Sequence, residues 1–200
     1  MFPKDILQII FSYLYVEDIP IEYYDILIEI FSKNIENIII HSYNSRDDIL
    51  YSNRMNIFKK CKKITSYQYY INLDFFELLP KTLTHLNLPN CIDICINNIK
   101  HLPTNLTHLN LPKCFKNHNN IIQHLPPNLI YLNFKHNYNL IDEDLKYLPP
   151  KLEILNIQYN NILTNKCISY LPKTLKKFYI YSKKIDVNIL KQYLPNCVKK

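Results

Sequence analysis

Leu102-Pro103-Thr104-Asn105-Leu106-Thr107-His108-Leu109-Asn110-Leu111-Pro112-Lys113-Cys114 decides the fold, because the chain keeps returning to it. The dipeptide Leu-Pro recurs with its proline at 80, 103, 126, 149, 172 and 195, always 23 residues apart. The same apolar spacing follows each proline. It places Leu83, Leu86, Leu88 and Cys91 in one copy, and Leu106, Leu109, Leu111 and Cys114 in the next. The third copy has Leu129, Leu132, Phe134 and Asn137, and the fourth Leu152, Leu155, Ile157 and Asn160. A fifth has Leu175, Phe178 and Ile180, with Lys183 where Asn or Cys stands elsewhere. Self-similarity at a fixed period of this size is the mark of a repeat array, in which each unit buries its apolar face against its neighbours.

The spacing has a direct physical reading. Leu86 and Leu88, with their equivalents, alternate inward on a short strand, and the strands are expected to stack in parallel about 4.8 Å apart. Leu83 and its equivalents close the turn into the same core. The Asn or Cys position points inward, where its polar atoms can satisfy loop backbone groups that would otherwise be buried unpaired. Between that position and the next Leu-Pro, apolar residues lie three or four apart: Ile96/Ile99/Leu102, Leu145/Leu148 and Ile168/Leu171. That spacing predicts one or two helical turns on the convex side. The proline ends each turn, because it lacks an N–H and pushes the preceding residue out of the helical region. A degenerate first strand is expected at Cys61-Lys62-Lys63-Ile64, with Leu73-Asp74-Phe75-Phe76-Glu77-Leu78-Leu79 as its helical partner. At the other end Pro195-Asn196-Cys197-Val198 aligns with Pro172-Lys173-Thr174-Leu175, so the sequence stops as a further strand would begin.

The pattern L-x-x-L-x-L-x-x-N/C resembles the leucine-rich repeat. The resemblance implies an α/β solenoid of 23-residue repeats over 61–200, with parallel strands on a concave face. Residues 1–60 lack the period. Pro3-Lys4-Asp5-Ile6-Leu7-Gln8-Ile9-Ile10-Phe11-Ser12-Tyr13-Leu14 has apolar residues at helical spacing behind a proline; Tyr24–Phe31 reads as a second helix and about 45–60 as a third. Pro3, Asp5, Ile6, Leu7, Ile10, Phe11, Tyr13, Leu14, Asp18 and Ile19 resemble the opening of the F-box. An F-box-like helical domain at 1–45, a helical linker at 46–60 and the repeats at 61–200 together resemble the F-box/leucine-rich-repeat and FNIP-repeat proteins expanded in amoebae and their giant DNA viruses. The resemblance implies a substrate-recognition subunit of an SCF-type ubiquitin ligase. Residues 1–40, through Pro3, Ile6, Leu7, Ile10, Phe11 and Leu14, would dock the ligase's linker protein, and the repeats would hold a target. The competing expectation is a repeat module that sequesters a host or viral protein with no ubiquitin role.

Composition narrows the chemistry. The 200 residues contain no Gly and no Trp, against 31 Ile and 25 Asn. Average usage would supply roughly 14 glycines. Phosphate-binding loops, dinucleotide fingerprints, nucleophile elbows and EF-hand loops each need glycine's backbone, so those classes are excluded. Positions with positive φ are expected to fall on Asn or Asp. No apolar run approaches the roughly 20 residues of a membrane span. Met1-Phe2-Pro3-Lys4-Asp5 does not open a signal peptide, which leads to a cytoplasmic expectation, the host's if the protein is viral. The 6 Cys form no C-x-x-C pair and are read as reduced, buried side chains. Residues 1–60 carry 6 basic and 9 acidic side chains, a net of −3, while 61–200 carry 18 and 8, a net of +10.

On the expected strands, the residues alternating with the buried ones line the concave face. The target-binding candidates are His85, His108, Tyr131, Lys135, Tyr159, Lys177, Tyr179 and Tyr181. Tyrosine anchors interfaces because it supplies area at low entropic cost with a polar tip. The Asn87, Asn110, Asn133 and Asn156 column is read as a side-chain amide ladder, and Asp142-Glu143-Asp144 as a solvated helix start. No catalytic constellation, metal set or cofactor site is identified: His85 and His108 lie on adjacent strands, but no third ligand has suitable spacing. The lysines are spread over loops and both faces, so an acidic protein is the expected partner. Neither nucleic acid nor a membrane is expected.

Overall fold

The computed structural model describes residues 37–40, 61–67, 71, 73–91, 94–111, 121–135 and 140–199. The F-box-like helices, and with them Pro3, Ile6, Leu7, Ile10, Phe11 and Leu14, lie outside the described residues, as do Pro112, Cys114 and Asn137. Among the described residues eight strands form one sheet in sequence order, every neighbouring pair parallel. They are β1 (Asn37–Ile40), β2 (Lys63–Ser66), β3 (His85–Asn87), β4 (His108–Asn110), β5 (Tyr131–Asn133), β6 (Ile154–Asn156), β7 (Lys177–Tyr179) and β8 (Val198–Lys199). The 23-residue period becomes a register without slippage: Leu86 lies beside Leu109, Leu109 beside Leu132, Leu132 beside Leu155, and Leu155 beside Phe178. This is the architecture of an α/β leucine-rich-repeat solenoid.

The short strands extend their ladder beyond three residues at each end. His108 N and Thr107 N share Thr84 O, and Leu88 N reaches forward to Asn110 O at 2.9 Å. Five of the six Leu-Pro dipeptides then open a turn in which the amide of the following Leu donates to the proline carbonyl. The pairs Leu83–Pro80, Leu106–Pro103, Leu129–Pro126, Leu152–Pro149 and Leu175–Pro172 span 2.9 to 3.4 Å. Ahead of these prolines Leu148 and Leu171 are extended, at φ/ψ of −59/141 and −67/137, as steric conflict with the proline ring requires.

Convex segments join consecutive strands. α1 (Leu73–Glu77), α2 (Ile96–Lys100) and α3 (Val187–Tyr193) are α-helical, whereas Ile121–His124, Asp142–Tyr147 and Asn165–Tyr170 wind as 3-10 helices. The apolar pairs Leu145/Leu148 and Ile168/Leu171 each join a 3-10 segment to the residue that follows it. All four of these side chains are buried, and the core runs unbroken from Cys61 to Cys197.

Three expectations are corrected. The first repeat's strand is Lys63–Ser66, not 61–64: Cys61 takes the place of the turn leucine, Ile64 pairs with Leu86, and Ser66 is wholly buried where Leu88 stands one repeat on. Residues 37–40, assigned from sequence to the helical N-terminal unit, form β1 and pair with β2 through Ile38 and Ile64. Ile38-Ile39-Ile40 is a β-branched run that favours extended backbone. Finally, the positive-φ residue among those described is Tyr159, at φ 67, and not an Asn or Asp. Its ring stacks on Tyr181, and the adjacent Asn160 side chain holds the turn.

Candidate partner-binding surface

Alternation on three-residue strands sends the middle side chain into the core and the outer two onto the concave face. In-register stacking turns those outer residues into columns. The first runs Lys63, His85, His108, Tyr131, Ile154 and Lys177; the second runs Thr65, Asn87, Asn110, Asn133, Asn156 and Tyr179. A third, just past the strands, holds Tyr67, Pro89, Lys135, Gln158 and Tyr181. No carboxylate occupies any of these positions.

The first column contains a continuous aromatic stack. The His85 and His108 rings lie 4.0 Å apart and 9° from parallel, and Tyr131 follows His108 at 5.8 Å and 18°. Two threonines set the rings. Thr84 Oγ1 donates its proton to Lys62 O, and Thr107 Oγ1 donates to Thr84 O, both at 3.0 Å. A hydroxyl has one proton, so where it goes to the carbonyl, each 2.9 Å contact from Thr Oγ1 to the neighbouring His Nδ1 is an Nδ1–H donating to oxygen. In that arrangement both imidazoles carry their proton on Nδ1 and present a bare Nε2; with the hydroxyl proton turned to Nδ1, the ring proton sits on Nε2. Burial pulls both below the usual histidine range; His108 and Lys63 lower His85 further, and Lys63 lowers His108. Burial raises Tyr131 above the usual phenol range, with Tyr179 adding to the shift and an Asn133 side-chain hydrogen bond opposing it.

The sequence-selected residues thus fall into two groups. His85, His108 and Tyr131 form the stack, with Lys177 two strands beyond Tyr131 in the same column. Tyr159 and Tyr181 form a second parallel stack at the end of the face, 6.0 Å between centroids, with Tyr181 68% exposed. Tyr179 lies between the groups in the second column, and Lys135 follows β5 in the third. Sequence reasoning missed Lys63, and also Thr84 and Thr107. The repeated Thr-His dipeptide before Leu-Asn-Leu was their signal.

The asparagine column behaves as a ladder at one step only. Asn110 Nδ2 donates to Asn87 Oδ1, whereas the Asn133 and Asn156 carbonyls accept from the backbone N–H of Lys135 and Gln158, two residues on. The acidic cluster is a clasp between convex segments. Asp142 accepts from Thr164 N at 2.8 Å and Thr164 Oγ1 at 2.6 Å, Glu143 pairs with Lys166, and Asp144 caps Ile141 N. Among the described residues no three His, Cys, Asp or Glu side chains gather as a metal set, and no helix is long and apolar enough to cross a membrane.

No family model matches the chain, and no curated protein matches it in sequence. Solved structures similar in backbone include the following two. CroV588, a giant-virus protein described as a novel circular LRR protein, is 23% identical with a TM-score of 0.42. The match covers 72% of this chain and 24% of that one, so the chain spans about a quarter of CroV588. A Bacteroides fragilis protein is 15% identical with a TM-score of 0.44, covering 90% of this chain and 71% of that one.

Proposed function

We propose that the chain is a protein-interaction adaptor whose concave face holds an acidic segment of a target protein. One observation carries this reading: the three concave columns combine stacked aromatic rings with Lys63, Lys135 and Lys177 and hold no carboxylate among the described residues. Complementary charge would steer such a partner and fix its register, while tyrosine and histidine faces supply contact area. The finer form of the proposal is a substrate-recognition subunit of an SCF-type ubiquitin ligase, supported by the F-box-like residues between Pro3 and Ile19.

A pull-down of the ligase linker protein by the full chain tests that form. Binding that disappears in Leu7→Asp with Phe11→Asp is expected; absence of binding by the unmutated chain would sink it. The second reading is a module that sequesters its partner with no ubiquitin role. It is favoured by β1, since the solenoid claims residues 37–40 that the helical domain would otherwise use. Here the partner complex forms without the linker protein. In either case Lys135→Glu with Lys177→Glu should weaken target capture, and added salt should do the same.

A further inference from the structure

The histidine pair is the concave feature that simple charge complementarity leaves unexplained. A lysine can meet a carboxylate directly, but a neutral ring protonated at Nδ1 cannot. Each Nε2 is the ring atom turned away from its threonine, and neither has a partner among the described residues. A carboxylate approaching that edge meets a lone pair, and the contact is repulsive until a proton enters between them.

We propose that both rings rest as the Nδ1–H tautomer and that docking of an acidic protein segment is linked to proton uptake: a partner carboxylate seats against Lys63 and the Nε2 edges of His85 and His108, and this imidazole pair takes up one proton from solvent. The inference rests on the concave-face reading above and adds the chemistry of one subsite to it. The proton adds to an Nε2 lone pair, and the new N–H donates to the carboxylate oxygen. No bond to Nδ1 changes, because the threonine contact already has its proton on nitrogen. Only one proton enters, since two imidazolium rings 4.0 Å apart would repel each other. The titratable and charged groups on the flanking strands are Lys63 on β2 and Tyr131 on β5; none is an acid that could supply the countercharge from within the chain. In the free protein burial and Lys63 hold both rings neutral near pH 7, so the partner itself must bring the negative charge that favours protonation.

The test uses the full chain and a synthetic peptide of alternating Glu and Ser, whose carboxylates stay ionised throughout. Calorimetry at pH 6.0 and pH 7.5, in buffers of different ionisation heat, reads both affinity and net proton uptake. Binding about tenfold tighter at pH 6.0, with close to one proton taken up, is expected. His85→Gln with His108→Gln should bind at both pH values with the unmutated chain's pH 7.5 affinity. Long-range proton–nitrogen NMR on the unmutated chain should show the Nδ1–H tautomer free, and the titration of at least one ring moving upward with peptide. That measurement does not depend on the variant folding. Equal affinity at both pH values, an Nε2–H tautomer in the free chain, or uptake that persists in the double variant would each overturn the proton linkage while leaving the concave face as the docking surface. No peptide binding at either pH would overturn the concave-face reading and the subsite together.

Discussion

Asn160 shows how one polar side chain can hold a turn made without glycine. It is fully buried; its Oδ1 accepts from Ile162 N and Leu163 N, and its Nδ2 donates to Leu140 O in the preceding repeat. Asn160→Leu keeps the branched outline but takes the partner from two backbone amides, one of them buried, and from a buried carbonyl. Urea unfolding should show a loss of about 3 kcal/mol, whereas half-buried Asn156→Ala should cost under about 1 kcal/mol. The inward Asn was legible in the sequence because its spacing from the strand leucines is fixed. The left-handed Tyr159 beside it was not, since nothing local marks a tyrosine for positive φ at a cost of roughly 1–2 kcal/mol. The histidine pair gives a second residue-scale expectation. Their folded pKa values lie below the unfolded value of 6.5, so the unfolded chain binds more protons as pH falls. The folded state is favoured above pH 6.5 and loses stability as pH drops through that value towards the lowered folded pKa. Melting temperatures measured across pH 7.5 to 5 should fall less in His85→Gln with His108→Gln; an identical slope in both would count against the assignment.

At the scale of the element, the convex segments are too short to stand on helix propensity. Six residues wound as a 3-10 helix fix few backbone hydrogen bonds, so their position depends on neighbours. Asn165–Tyr170 illustrates this. Its N-cap Thr164 accepts from Lys166 N and donates to Asp142, the first residue of the preceding 3-10 helix. Thr164→Val removes the cap and the hydroxyl's bond to Asp142, while the backbone bond from Thr164 N stays, and should lower stability by about 1.5 kcal/mol. Thr164→Ser should restore most of it, and a valine variant as stable as the parent would show the hydroxyl to be idle. Apolar spacing marked these segments as helical turns. The same spacing of three occurs in the α-helical Ile96–Lys100 and in the 3-10 segments, so it did not tell which winding each would take.

On the scale of the whole molecule, the core is a set of side-chain columns, so a cavity in the middle is felt on both sides. Leu132 is fully buried, with Leu109 and Leu155 as its register partners on either side. Leu132→Ala should cost about 3 kcal/mol. Because neighbouring repeats stabilise one another, circular dichroism and tyrosine fluorescence should still report a single transition. Separate transitions for the two halves would show the repeats to be uncoupled. The 23-residue period by itself determined the parallel sheet, its register, the inward leucines and the outward columns. A fixed period with alternating polarity leaves one way to bury every apolar face. Tertiary structure alone decided that residues 37–40 join the sheet, that Ser66 can replace a core leucine, and that Lys63 stands beside two histidines locked by threonines. These depend on distances across repeats, set by hydrogen bonds between residues more than twenty positions apart, and no local pattern encodes them.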